Sequence, residues 1–179
     1  MKEVKIFARA GQGAITTAAI IGEAMFFEDK FAYTYPSFGA ARMGAPMNAY
    51  LRYDDKPVRL RSIIYSADFV IVIDPTLIES QKCFDGLKPG SKVIVAVRED
   101  TVLPKAPEGV TVYPFQAEKI AMEIIGRPFA NTILVGAFAK VSGAMSLDAV
   151  IKAVEGRFEG KGDIKAKNVE AVKKGYASV

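Results

Sequence analysis

Gly11, Gln12, Gly13 and Thr16 stand where one apolar run gives way to another of different period, and their types suit the holding of an anion. Before them, Val4, Ile6 and Ala8 alternate with Lys5 and Phe7, which predicts a buried strand near the start of the chain. After them, Ile15, Ala18, Ala19, Gly22 and Met25-Phe26 recur at helical spacing, with small residues on the side that would face a sheet. Glycine reaches backbone angles closed to other residues, so Ala10-Gly11-Gln12-Gly13 can turn sharply and aim N–H groups at one spot. Phosphate is the usual occupant of such a spot at a helix N-terminus. The competing reading is a tight strand–helix turn that binds nothing.

A second concentration of useful chemistry runs from Tyr35 to Pro46. Phe38 offers an aromatic face to a base or ring, and Arg42 offers a planar fork to phosphate or carboxylate. Gly39 and Gly44 allow close backbone approach, while Pro36 and Pro46 stiffen the exits. Ligand or partner contact accounts for this mixture better than a loop in which Arg42 pairs with an acid. Asp74-Pro75 closes an apolar strand on the edge where α/β proteins bind ligands, and Asp74 reads first as a cap for the next helix. Asn131-Thr132 opens another helix, a capping position first and a ligand contact second. Cys83 reads as a small buried hydrophobe.

A nicotinamide-dinucleotide fingerprint is poorly matched. Its third glycine falls on Thr16, and no acid follows the second strand, because Glu28 and Asp29 precede it. With no histidine and one cysteine among 179 residues, zinc sites of Cys/His type and Ser–His–Asp or Cys–His mechanisms are excluded. One thiol alone cannot hold an iron–sulfur cluster. No catalytic residue and no metal ligand is therefore assigned. The net charge of +4 is too small to argue for nucleic acid. No apolar run approaches the ~18 residues of a membrane helix, so a cytoplasmic protein without membrane contact is expected. Gly156 to Val179 holds six basic residues against three acidic ones and reads as a solvated helix rather than a docking patch.

The elements that must position these residues follow in order. Strands are predicted at Phe31–Tyr35, ending at Pro36, at Met47–Tyr53, at Phe69–Ile73, at Lys92–Val97 and at Val110–Tyr113, ending at Pro114. A hairpin return is expected at Val58–Leu60, and Thr76 is expected to cap a short helix reaching about Phe84. Asp85–Gly90 reads as a turn. Helices are predicted at Glu118–Ile125, Asn131–Val141, from a cap at Ser146 to Val154, and at Lys165–Lys174. Together these give one domain over 1–179, a modified Rossmann-like α/β fold. Its sheet is mostly parallel, with helices on both faces and an antiparallel hairpin departure between Tyr35 and Tyr53.

Gly11-Gln12-Gly13-x-x-Thr16, Tyr35-Pro-Ser-Phe-Gly39, Arg42-x-Gly44-Ala45-Pro46, Asp68 and Asp74-Pro75-Thr76-Leu77 occur in an order that resembles the gamma subunit of 2-oxoacid:ferredoxin oxidoreductases. That family includes pyruvate, 2-oxoisovalerate, 2-oxoglutarate and arylglyoxylate enzymes. The resemblance implies oxidative decarboxylation of a 2-oxoacid with coenzyme A, giving acyl-CoA, carbon dioxide and reduced ferredoxin or another reduced acceptor. It implies that thiamine diphosphate, Mg and iron–sulfur clusters reside in partner subunits, the thiamine-binding and cluster-bearing chains. It also implies that Gly11, Gln12, Gly13, Thr16, Phe38, Gly39, Arg42, Gly44, Pro46 and Asn131 contribute to a coenzyme A site. The chain departs from the family pattern at Ala8, Ala10, Ala41 and Met43. A purely structural subunit and a stand-alone nucleotide-binding protein are the alternatives.

Overall fold

A six-stranded sheet in the order β2-β3-β1-β4-β5-β6 forms the frame. The structure, a computed structural model, describes residues 1–38 and 44–179, with Phe38 described in its backbone alone. The strands are β1 (Lys2–Phe7), β2 (Phe31–Phe38), β3 (Met47–Asp54), β4 (Ala67–Val72), β5 (Leu87–Ala96) and β6 (Thr111–Phe115). β1, β4, β5 and β6 run parallel, with Val4 opposite Phe69 and Ile94 opposite Tyr113. β3 pairs antiparallel with both β1 and β2, the expected hairpin departure.

Both faces are covered, but by different material. The helices α1 (Ala14–Phe26), α2 (Ala117–Ile124), α3 (Asn131–Ser142), α4 (Leu147–Arg157) and α5 (Asp163–Ala177) share one apolar cluster with Val4, Ile6, Leu51, Ile71 and Ile94. The opposite side chains of the same strands, Phe7, Val70, Val72, Val93 and Val95, pack under Ile64, Leu77, Ile78 and Cys83. There the cover is a single 3₁₀ turn, Pro75–Leu77, and irregular chain. Period-two alternation of wholly apolar strands supplies both clusters at once.

Several boundaries differ from expectation, each for a physical reason. β2 runs through Pro36 and β6 through Pro114, because both are edge strands, where a missing N–H on the open side costs nothing. Val58–Leu60 forms no strand. Arg52, wholly buried, draws that segment inward by donating from Nη1 to the carbonyls of Leu60 (3.3 Å) and Ser62 (2.7 Å). Its charge is met by Glu3 at 3.0 Å, which a buried guanidinium requires. β5 starts at Leu87 rather than Lys92, through an irregular pairing with β4. Thr76 caps nothing; Asp74 does, accepting from the Thr76 backbone N–H at 3.0 Å, and the helix stops after one turn.

α3 is the central helix. Nine of its residues are buried, and Phe138 meets Phe69 of β4 edge to face at 5.4 Å. On its outer side it meets α5 backbone to backbone. A Cβ on Gly136 would lie 2.1 Å from the Val172 carbonyl oxygen, and one on Gly175 would lie 1.9 Å from the Ile133 carbonyl oxygen. Only glycine permits this approach. Gly175→Ala is expected to push α5 away and cost about 1–3 kcal/mol or more, the range for overpacking a tight interface. Urea denaturation checks this, and an unchanged midpoint would contradict the packing described.

Candidate functional site

From β1 the chain passes through α1 to β2 and β3 on one side, while β4, β5 and β6 lie on the other. The carboxyl ends of β1 and β4 therefore flank a switch point, the place where open α/β sheets leave a crevice. Residues 9–13 leave β1 there and Asp74 leaves β4. Gly11 (φ +98°) and Gly13 (φ +86°) hold the left-handed angles that turn the chain into α1. Gly13 is the N-cap and offers no side chain, so the first turn of α1 presents bare N–H groups.

The turn is braced from behind. Gln12 accepts from the Arg9 backbone N–H through Oε1 (2.7 Å) and donates through Nε2 to Asp74 Oδ2 (2.7 Å). Asp74 also accepts from the Thr76 N–H and hydroxyl through Oδ1, at 3.0 and 2.7 Å. Arg9 donates to the Thr76 hydroxyl and to the Gly44 carbonyl and lies 3.4 Å from Asp74. Burial works to raise the Asp74 carboxyl, but hydrogen bonds from Thr76 and Gln12 outweigh it and hold it below the usual carboxylate range. Asp74 is thus both a cap and the anchor of the glycine turn. The Gln12 side chain is spent on bracing.

In front of the turn lies a cavity of about 520 Å³. Gly11, Gln12, Gly13 and Thr16 form one wall, and Ile125, Arg127, Phe129 and Asn131 come from the connection between α2 and α3. The end of α4 and start of α5 supply Arg157, Phe158, Lys161, Asp163, Ile164, Lys167 and Asn168. Four cations thus face one carboxylate. Asn131 does not cap α3, whose N-cap is Ala130; its Nδ2 sits 3.0 Å from where a Gly13 Cβ would be. The start of α5 is pinned to the start of α3 by Thr132, whose hydroxyl donates to Asn168 Oδ1 at 2.9 Å. Asn168 in turn donates to the Ile164 carbonyl at 2.7 Å.

The structure brings together Gly11, Gln12, Gly13, Thr16 and Asn131 of the residues singled out from sequence. Gly44 and Pro46 stand beside the turn rather than on the cavity, Gly44 through its N–H to the Ala10 carbonyl (3.3 Å) and Pro46 bridged to Arg9. Gly39 and Arg42, like the Phe38 side chain, lie outside the described residues. The sequence reading missed the cavity's cations and Phe129 and Phe158. The basic tail is not simply a solvated helix: it buries Asn168, Ala171, Val172 and Gly175 and lines the cavity with Lys161 and Lys167. The surplus of base in that tail was the available signal. Cys83 lies on the other face of the sheet, and burial pushes its thiol up to about 12. Among the described residues no cluster of metal-binding side chains occurs, and no helix is long and apolar enough to cross a membrane.

The model of the pyruvate ferredoxin/flavodoxin oxidoreductase family matches residues 3–178. The pyruvate synthase subunit PorC of Methanocaldococcus jannaschii is 42% identical over 98% of this chain and 96% of its own. The gamma subunit of NADH-dependent phenylglyoxylate dehydrogenase of Aromatoleum evansii is 39% identical, over 100% of this chain and 94% of its own. The crystal structure of the pyruvate oxidoreductase subunit PORC from Thermotoga maritima superposes with a TM-score of 0.85 at 30% identity, covering 99% and 97% of the two chains.

Asp74→Asn is expected to cost about 1–3 kcal/mol at pH 7, the worth of hydrogen bonds to a charged group, and to speed amide exchange at Gly11–Gly13. Because the folded carboxyl titrates below its unfolded value, the stability it gives is present above about pH 3.9 and lost as pH falls through the folded value. Denaturation at pH 7 and pH 3 should show the variant's deficit shrinking in acid. An equal deficit at both would contradict the brace.

Proposed function

The chain belongs to the pyruvate ferredoxin/flavodoxin oxidoreductase family as a gamma-type subunit, and we propose that it holds coenzyme A for a 2-oxoacid oxidoreductase whose other chains do the redox chemistry. One observation carries the reading: a single cavity combines a bare helix N-terminus on a glycine turn with four cations and two aromatic rings. Coenzyme A carries a diphosphate, a further phosphate and an adenine, so its charge and its ring both find partners there. In this reading the N–H groups from Gly13 to Thr16 receive the diphosphate, where charge and dipole act together, while the Gln12 N–H is held by the Arg9 carbonyl at 3.0 Å. Asn131 adds a polar contact beside the turn, and Phe129, about half exposed, offers its face to the base. The proposal extends to Phe38, Gly39 and Arg42, and to Gly44 and Pro46, which shape the neighbouring backbone.

The chain itself lacks the groups for the chemistry, having no histidine and a single inert thiol. Thiamine diphosphate with Mg and iron–sulfur clusters would be held by partner chains, and would supply the decarboxylation and the electron transfer to ferredoxin or another acceptor. This subunit binds and orients the acyl acceptor. Similarity to relatives named for pyruvate and for phenylglyoxylate supports a role common to different 2-oxoacids.

Calorimetric titration of the assembled complex with coenzyme A should give saturable binding. Gly13→Ala should weaken it at least about tenfold, because the added methyl meets Asn131 and the φ of +86° is strained for alanine. Unchanged affinity would overturn the site. Anaerobic purification from native cells should bring larger chains containing iron and thiamine diphosphate. Elution alone, without metal, would overturn the subunit reading.

A further inference from the structure

The two faces of the sheet are finished differently. Crossovers between parallel strands normally lay helices on both faces. Here α1 to α5 share one apolar cluster, and among the described residues the other face is covered by a 3₁₀ turn and irregular chain. Part of that cover is the connection between β3 and β4, residues 55–66, from which Ile64 turns inward to the second cluster. Its neighbours do the reverse: Leu60 is 45% exposed, Ile63 59% and Tyr65 77%.

This outward-facing connection is nevertheless fixed through its main chain. The Ser62 carbonyl accepts from the Tyr35 hydroxyl at 3.0 Å as well as from the buried Arg52, which also holds the Leu60 carbonyl. The Tyr65 carbonyl accepts from Lys5 Nζ at 2.9 Å. A Cβ on Gly86 would lie 2.3 Å from that same oxygen, so glycine is required at its seat. The Arg61 guanidinium sits 3.7 Å from the centre of the Tyr33 ring, at the end of a stacked row of Tyr33, Tyr35 and Tyr50. Groups beneath the segment thus hold its backbone while three large apolar side chains are left in solvent. Such a patch on one short segment marks a contact surface rather than a plain connection. Fixing it before contact lowers the ordering cost of docking.

The charge on the segment says what docks. Lys56, Arg59 and Arg61 are exposed, against one exposed acid, Asp55; Asp54 is engaged by the N-terminal amino group at 2.6 Å. A second copy related by a two-fold axis through this segment would set the three cations against their own images, which is unfavourable. A surface that is apolar at its centre and acidic at its rim complements both features. We propose that residues 56–65 form the surface by which this subunit docks on a partner chain of the oxidoreductase, and that the partner's contact is acidic around an apolar centre. The inference rests on the subunit reading and is independent of the coenzyme A cavity, which lies among the helices on the opposite face.

The test compares full-length chains in binding to the remaining chains of the complex, at low and at moderate salt. Arg59→Glu/Ile63→Asp changes two exposed side chains outside the hydrogen bonds that hold the segment, and should keep its thermal midpoint. Met122→Asp/Lys173→Glu makes matched changes at exposed positions of α2 and α5. Wild type should bind less tightly as salt rises, since salt screens exposed charge pairs. The loop variant should bind at least about tenfold more weakly and lose most of that salt dependence, while the helical variant stays within about twofold of wild type. A loop variant that binds as wild type does, or a helical variant that loses as much, would overturn the docking surface and leave the subunit reading standing. A chain that dimerises alone, and that the loop variant makes monomeric, would overturn it by assigning the surface to a second copy. Wild type that retains no other chain would overturn both.

Discussion

The close approach of α3 and α5 is the constraint on which the rest of the site depends. Their backbones meet where Gly136 and Gly175 leave no room for a methyl group. α3 is fixed in turn by the sheet, through Phe138 on Phe69 and a run of fully buried aliphatic residues. The outermost helix of the fold is thereby set against its central one. That placement carries residues 157–168 to the mouth of the α1 turn, more than 140 positions away in sequence. A looser contact would leave the glycine turn without the second wall of its cavity.

Behind the turn, the interactions divide the labour. Asp74, Gln12, Arg9 and Thr76 form a network whose members satisfy one another, so the turn is shaped before any ligand arrives. Preorganisation of this kind lowers the ordering cost of binding. In front of the turn, no ion pair among the described residues involves the cavity's cations, and the first N–H groups of α1 have no side-chain cap. The same end of the sheet thus holds a neutralised brace and an unneutralised cavity.

Much of this was legible in the residues because it is local. The strand, glycine turn and helix of residues 2–26 show themselves by a change of period around two glycines, and Asp74 before a proline reads as a cap. Edge position was not legible, so Pro36 and Pro114 looked like strand ends although each sits inside a strand with one open side. Arg52 drew no reading from the sequence; only the fold reveals that it is buried and donates to the carbonyls of Leu60 and Ser62. The cavity's cations, Arg127, Arg157, Lys161 and Lys167, were the largest omission. A charged helix face turned to a ligand and one turned to water have the same sequence pattern, and their separation from Gly11–Gly13 hides the pairing. The order of the motifs conveyed the family because it runs through several elements, from Gly11 to Leu77, rather than resting on any one contact.

The most direct test of the account is a structure of the assembled oxidoreductase with coenzyme A bound. The account predicts density for the diphosphate on the N–H groups between Gly13 and Thr16, with the adenosine end inside the cavity bounded by Phe129, Asn131 and the first turns of α5. Coenzyme A bound wholly on a partner chain, with this cavity filled by that partner's side chains, would contradict it and reduce the subunit to a structural role.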